Sequence, residues 1–544
     1  MSRTRSEAGH AAEASASGRS LVSDSAALGL GTALSRATGF ARMLMIAAVF
    51  GQTAIGDMFL AVNVLPLTIF AAFGGQAISS LLVPVLVRRL EDDPVRAEHL
   101  ARTALGVVTL TLAALAAVSV ALHRPLAALL SSGLDATTNS DAQGIAAVLL
   151  LFILPQVVLY GIVSVFVAVQ HAHSRFLLPS LAPTLENVGL IVTVLLVARS
   201  FDDVHLATAS DTRLLVTLGL GSSIALLLHV AVQAWGVRRC GVSMWPSRPR
   251  RDAELTGLRG QVTGNLTWTV LSGVRLAALI VTAGYAGAGG IQAMEIGYLI
   301  HNLPIALIGY PLAAAILPRL SRSREGSGSI AHGYAETTRL ASWVLFPVGC
   351  AMVALSHPLS ETLSIGRFDE GDGAMMIRYG AVGLAIAAVS ESFYEIARQA
   401  TMAFGDLKGF TASIWTRALI SAIGIPLAPF YFEGPQLLLA VGLVMSVSDV
   451  AALAVIDRPL RTLSTRSSTS RRNIAGAASS ALVAATITWY VSGIRLVDDL
   501  ANFVSLLVGC AVFALVYLCV AFALSQRGSV IRSAYESVNS AVTS

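Results

Sequence analysis

Lysine is all but missing from this chain: of 37 basic residues, Lys408 alone is a lysine. Charge of either sign is thin, with Asp, Glu, Lys and Arg together making 13% of 544 residues, whereas soluble domains carry about a quarter. So few charges cannot cover a solvated globular surface. The four cysteines, Cys240, Cys350, Cys510 and Cys519, show no metal-ligand spacing. Three of them lie in or beside apolar runs, which argues against a disulfide framework or a zinc site. No G-x-x-x-x-G-K-[ST] element occurs, so phosphate binding by a P-loop, and with it direct use of ATP, is not indicated. The net charge of +5 does not point to nucleic acid, because the arginines form short clusters between apolar runs rather than a continuous basic face.

What is abundant is apolar sequence. Hydrophobic residues make 55% of the chain and the mean hydropathy is +0.71, which places it among α-helical integral membrane proteins. At about 20 residues per crossing, fourteen apolar segments are expected, near 22–50, 55–87, 103–122, 144–170, 176–199, 212–236, 260–285, 290–318, 335–357, 374–404, 409–432, 435–457, 473–494 and 500–525. Residues 1–21 and 526–544 read as cytoplasmic tails; the polar, aperiodic N-terminal stretch carries no signal-peptide cleavage pattern. Arginines concentrate in every second connection: Arg88, Arg89, Arg96 and Arg102; Arg238, Arg239, Arg248, Arg250, Arg251 and Arg259; Arg319, Arg322 and Arg324; Arg458, Arg461, Arg466, Arg471 and Arg472. By the positive-inside rule these connections and both termini are cytoplasmic.

A repeat is visible. The second segment has Asp57, then Leu65-Pro66, then Pro84-Val-Leu-Val-Arg88. The eighth has Glu295, then Leu303-Pro304, then Pro318-Arg-Leu-Ser-Arg322. The acid-to-Leu-Pro spacing is the same, and the copies are six helices apart, so they share one orientation. Two parallel six-helix lobes, 22–240 and 251–458, followed by two further helices at 473–525, make a transporter architecture.

Several motifs, in order, carry a family resemblance. LSRATGFARMLMIAAVFG (34–51), GDMFLAVNVLP (56–66) and LVPVLVRRL (82–90) come first, then HAHSRFLLPSLAPTLENV (171–188) and NLPIALIGYPLAAAILPRLSR (302–322). IGRFDEGDGAMM (365–376) and MAFGDLKG (402–409) follow. Together these resemble the MurJ/MviN family of the multidrug/oligosaccharidyl-lipid/polysaccharide exporter superfamily, over about residues 22–435. The resemblance implies a non-enzymatic flippase for the polyprenyl-diphosphate-linked peptidoglycan precursor, lipid II, in the bacterial cytoplasmic membrane. It implies alternating access, with the lipid tail left in the bilayer through a lateral opening or a groove beside the last two helices. Coupling to membrane potential or a cation gradient, no bound cofactor, and contact with the cell-wall synthesis machinery are further implications. Arg36, Arg42 and Asp57 match retained family positions. The arginine pair that the family carries after the second-segment Leu-Pro is replaced by Thr68–Ala72, the eighth-segment arginine by Leu299, and an acid before the second-segment turn by Gly75.

Charges inside apolar runs are costly, roughly 2.5–3.5 kcal/mol each on insertion scales. Counting at about 1.5 Å per residue, Arg36 and Arg275 come to similar depths, and are expected to bind a diphosphate in a central cavity with bidentate guanidinium forks. Ion pairs or interfacial snorkelling are the bland alternative. Arg42 and Asp57 are expected as a structural or gating pair near the outer rim, with Glu295 the repeat counterpart of Asp57. Glu391, Glu395 and Arg398 share one helix face, as a self-neutralising stripe or an ion-coupling site. His301 and Asn302 are candidates for the cavity lining, and Glu186 with Asn187 for polar bonds between helices. The rival functions are a flippase for another polyprenyl-linked glycan, a drug exporter, an integral membrane glycosyltransferase, or a structural scaffold. Short, acid-poor outer loops argue against the glycosyltransferase.

Overall fold

The structure, a computed structural model, describes residues 29–73, 75–134, 136–242, 245, 253–312, 326–463, 468–492 and 501–525. Both tails lie outside these residues, as do Arg248, Arg250, Arg251, Arg319, Arg322, Arg324 and Arg466 of the basic connections and the second copy of the Pro-x-Leu-x-Arg motif. Among the described residues, fourteen helices are long and apolar enough to cross a membrane: α1 Gly29–Phe50, α2 Ala54–Ala72, α3 Pro94–Ala121, α4 Asn139–Ala172, α5 Leu177–Ser200, α6 Thr212–Arg239 and α7 Thr267–Ala286, then α8 Gly290–Leu312, α9 Gly333–Ala354, α10 Gly373–Met402, α11 Leu407–Phe430, α12 Gly434–Asp457, α13 Ile474–Val491 and α14 Asn502–Ala523. No strand occurs among the described residues. The fold class read from composition is therefore the observed one.

Two segments differ in detail from the expectation. The second does not run unbroken over 55–87: α2 ends at Ala72 and a separate helix, Gly75–Asp92, follows. Gly75 marks the break, since a Cβ there would overlap the Phe70 ring. Pro66 lies within α2 without ending it; freed backbone groups in membrane helices find other partners. In α4 the chain makes a two-residue turn at Leu154-Pro155 between helical halves.

The chain forms two compact units, dividing inside the α7 helix between Ala277 and Ala278. The boundary thus falls later than the 240–251 connection. The reason is local: a Cβ at Gly273 would meet Thr68 Cγ2 at 3.5 Å and Ala72 Cβ at 3.6 Å, so this part of α7 lies along α2 in the first unit. Within that unit α2 packs on α4, α4 on α6 and α5 on α6; within the second, the same pairings recur as α8 on α10, α10 on α12 and α11 on α12. The repeat seen in the sequence is therefore also a repeat of packing. In the second unit α13 packs on α9 and α14 on α13, and Tyr517 Oη donates to the Trp343 carbonyl at 2.6 Å.

Glycine sets the closest of these contacts. A Cβ on Gly442 of α12 would stand 2.6 Å from Gly383 Cα of α10, and one on Gly383 would stand 2.7 Å from Leu439 O. The two backbones touch, as small residues allow in membrane helices. Large apolar side chains such as Leu196, Leu228, Leu515 and Phe522 are exposed, the expected state of a lipid-facing surface.

Candidate functional site

Each unit carries a polar network across its helices. In the first unit, Glu186 of α5 is the hub. Tyr160 Oη of α4 donates to Glu186 Oε1 at 2.8 Å, and His229 Nδ1 of α6 lies 3.0 Å from Glu186 Oε2. Gln233 Nε2 stands 3.4 Å from His229 Nε2, one turn further along α6, and Gln170 Nε2 of α4 donates to Gln233 Oε1 at 2.6 Å. Next to the hub, Asn187 Nδ2 donates to the Ser35 carbonyl at 3.1 Å and to Thr38 Oγ1 at 3.2 Å, fastening α5 to α1. The polar bonds expected of Glu186 and Asn187 are thus present, with named partners.

Arg42 of α1 is half-buried and acts through space on Glu186 and Tyr160. No spacing rule brings Arg42 within reach of Glu186, whose charge it nonetheless feels. Asp57 is fully buried in the first turn of α2, and its repeat counterpart Glu295 is buried in α8; neither faces lipid. Arg36 is exposed on α1, and Arg275 on α7 is buried in the part of the helix that belongs to the first unit. Both anion-site candidates thus belong to the first unit, not to one lobe each.

In the second unit the hub is a cation. Arg417 of α11 reaches Asp449 Oδ1 of α12 through Nε at 2.5 Å and Glu391 Oε1 of α10 through Nη2 at 2.7 Å. Glu391 Oε2 in turn lies 3.2 Å from His301 Nε2 of α8, whose Nδ1 meets the Leu384 carbonyl at 2.8 Å. Four helices are thereby joined by one chain of charged and titratable groups. Arg417 is 5% and Asp449 0% exposed, so each needs the other: an uncompensated charge at such a site is strongly unfavourable.

The expected α10 stripe divides. Glu395 and Arg398 pair with one another, with Arg398 Nε donating to Glu395 Oε2 at 2.8 Å, while Glu391 turns to His301 and Arg417. His301 is 1% exposed and is consumed in helix packing, not in lining an open space; Asn302 Nδ2 donates back to the Tyr298 carbonyl at 2.8 Å. Arg417, Asp449, Tyr160 and His229 were not singled out from the sequence. For Arg417 and Asp449 the signal was present, a charge within each of two apolar runs; what pairs them is tertiary. Among the described residues, no three His, Cys, Asp or Glu side chains gather as metal ligands would.

In both networks polar groups bind helix to helix inside an apolar, twice-repeated bundle, and the charged groups are held by mutual pairing.

Comparison narrows the class. The family described as "Lipid II flippase MurJ" matches residues 46–496, and the chain belongs to that family. It is 24% identical over 411 residues to a probable lipid II flippase MurJ of Thermotoga maritima, covering 75% of this chain and 79% of that one. It is 26% identical over 386 residues to the lipid II flippase MurJ of Burkholderia cenocepacia, covering 67% and 71%. Among solved structures, a lipid II flippase MurJ in an inward closed conformation superposes with a TM-score of 0.71 at 16% identity, covering 92% of this chain and 99% of that one. A multidrug resistance MATE family transporter of the MOP superfamily, in an inward-facing conformation, gives 0.59 at 14% identity, covering 78% and 94%. These likenesses establish the shared fold.

Proposed function

We propose that this chain carries lipid II, the polyprenyl-diphosphate-linked peptidoglycan precursor, from the cytoplasmic to the outer leaflet by alternating access. The observation that carries the reading is the family match across residues 46–496, which spans both repeats. No bond is made or broken in such transport, so binding and conformational exchange are all the protein must supply. The lipid tail stays in the bilayer, and membrane potential or a cation gradient drives the cycle. The protein resides in the bacterial cytoplasmic membrane with both termini inside, and serves the cell-wall synthesis machinery.

Within this reading Arg36 and Arg275 bind the diphosphate. A guanidinium stays charged at any physiological pH and matches phosphate oxygens two at a time. Both come from the first unit, which makes that unit the one that grips the headgroup. The test is complementation of a strain depleted of its lipid II flippase. The wild-type chain restores growth and clears the accumulated lipid-linked precursor; Arg36→Ala and Arg275→Ala, expressed to normal levels, do not, and Arg36→Lys does so weakly. Full growth with both alanine variants removes the anion site. Failure of the wild-type chain, with another polyprenyl-linked glycan accumulating in its native host on depletion, removes lipid II as the substrate.

A further inference from the structure

A groove runs along α11 and α12 of the second unit, starting at the turn that joins them. Its sides are these two helices, with Tyr379 of α10 near one end, and it encloses about 560 Å³. The sequence builds it from residues of unequal size. A Cβ on Gly424 would stand 2.7 Å from Val444 Cγ1, so the two helices approach closely there, while Ala428 and Ala440 leave room beside them. Leu427, Leu443 and Val447 line the groove and are 40–59% exposed. It therefore opens outward among large apolar side chains, on helices built to cross a membrane.

The two ends of the groove differ. At the turn, Tyr379, Tyr431 and the exposed Gln436 bring hydroxyl and amide groups, beside the exposed rings of Phe430 and Phe432. Aromatic and polar groups together are the make-up of a membrane–water interface. Away from the turn the lining is aliphatic and reaches Ile420 on α11 and Val447 on α12. Each is eleven residues from the mouth, counted from Tyr431 and from Gln436. At about 1.5 Å per residue the groove is about 16 Å deep, close to half of the roughly 30 Å of hydrocarbon in a bilayer. None of its lining residues is charged. Just past this depth the Arg417–Asp449 pair ties α11 to α12.

We propose that this groove binds one acyl chain of a bilayer glycerophospholipid, with the ester and glycerol end at Tyr379, Tyr431 and Gln436 and the terminal methyl toward Ile420 and Val447. Depth selects this occupant, because the hydrocarbon of one leaflet is as deep as one acyl chain is long. Volume agrees: at roughly 30 Å³ for a group the size of a water molecule, the groove holds about nineteen such groups, the size of a palmitoyl or oleoyl chain. A transmembrane helix of a partner, about 10 Å across and about 30 Å long, exceeds that space several times over. In the orientation proposed above, the mouth lies in the outer leaflet. The bound chain fills the seam above the Arg417–Asp449 pair and keeps water from reaching the pair along it. The inference goes beyond the transport reading and holds whatever the cargo.

The experiment places the full chain in phosphatidylcholine vesicles that include a phosphatidylcholine with a diazirine on its palmitoyl chain. The diazirine sits near the ester in one preparation and near the terminal methyl in another. After illumination, mass spectrometry of peptides locates the label. The ester-proximal lipid marks the turn at 427–436 and the methyl-proximal lipid marks the stretches around Ile420 and Val447, each severalfold above the exposed faces of α13 and α14. Leu443→Trp, which fills the groove from an exposed position, lowers both yields severalfold, and Val447→Trp lowers the methyl-proximal one. Leu419→Trp, exposed on α11 but outside the groove, changes neither. Label spread evenly over the exposed faces of the helices, or marks in the reverse order along α11 and α12, overturn the proposal on the wild-type protein alone. Undiminished labelling in both folded tryptophan variants overturns it as well. Displacement of the label by a minor fraction of polyprenyl phosphate would give the groove to a prenyl chain and overturn the acyl assignment.

Discussion

Glu186 of α5 and Arg417 of α11 hold corresponding places in the two repeats and carry opposite charge. Each is near the middle of the fifth helix of its set, tenth from Leu177 and eleventh from Leu407. Each faces the sixth helix of its own set, where Glu186 meets His229 at 3.0 Å and Arg417 meets Asp449 at 2.5 Å. The acid–base order is inverted between the copies. The second pair is built on an arginine, whose charge is permanent.

Arg417→Met is expected to destabilise the protein by about 3–5 kcal/mol, the usual result of stranding a buried partner. Asp449 and Glu391 both lose the guanidinium, and Glu391 keeps His301. The double variant Arg417→Met/Asp449→Leu should recover much of the loss, because it removes the stranded charge as well. Thermal unfolding of the detergent-purified protein reads both. A double variant no more stable than the single one would refute this account of the pair.

Gly442→Val is expected to prevent normal packing of α10 on α12, since the first added carbon already reaches 2.6 Å from Gly383 Cα. Backbone cannot move aside as a flexible side chain would. Yield of folded protein, followed by size-exclusion chromatography in detergent, should fall severely, while Val447→Leu on an exposed stretch of the same helix leaves it unchanged. Equal yields would mean the helices are not in contact at this point.

Asn187→Leu removes the two bonds from α5 to Ser35 and Thr38 of α1. Side-chain hydrogen bonds between membrane helices contribute on average about 0.6 kcal/mol and at most about 1.7 kcal/mol. The melting midpoint should therefore drop only slightly, and cross-linking between cysteines placed on α1 and α5 should become less efficient. A loss as large as that for Arg417→Met would assign Asn187 a role beyond fastening.

Cysteines placed at Arg248 and Arg466 in an otherwise cysteine-free chain should be protected from an impermeant thiol reagent in intact cells and react once the membrane is opened. The expectation follows from arginine clustering in alternate connections. Ready labelling from outside at either position would invert the orientation.

The spans were legible because the membrane demands unbroken apolar length and full backbone pairing within each helix. The pairing of Glu395 with Arg398 was legible too, because residues three apart on a helix are neighbours whatever surrounds them. Glu391 belongs to the same stripe by spacing, yet its partners are His301, 90 positions earlier, and Arg417. No local rule carries that information. Arg42 shows the same limit from the other side. Depth counted along the chain places it level with Asp57, while its charge also acts on Glu186 of α5, a neighbour the count along one helix does not contain.

One turn of α8 has a bearing on how this sequence tolerates change in length. Ile305–Gly309 forms a π-helix directly after Pro304, a turn that holds one residue more than an α-turn. Removing a single residue from these five would restore ordinary winding and leave everything before the turn in place, whereas the same deletion in an α-helical stretch swings the remainder by about 100°. Small insertions and deletions among descendants of this gene should therefore collect at 305–309, where the helix has slack to absorb them, and be missing from the evenly wound stretch that carries Arg417.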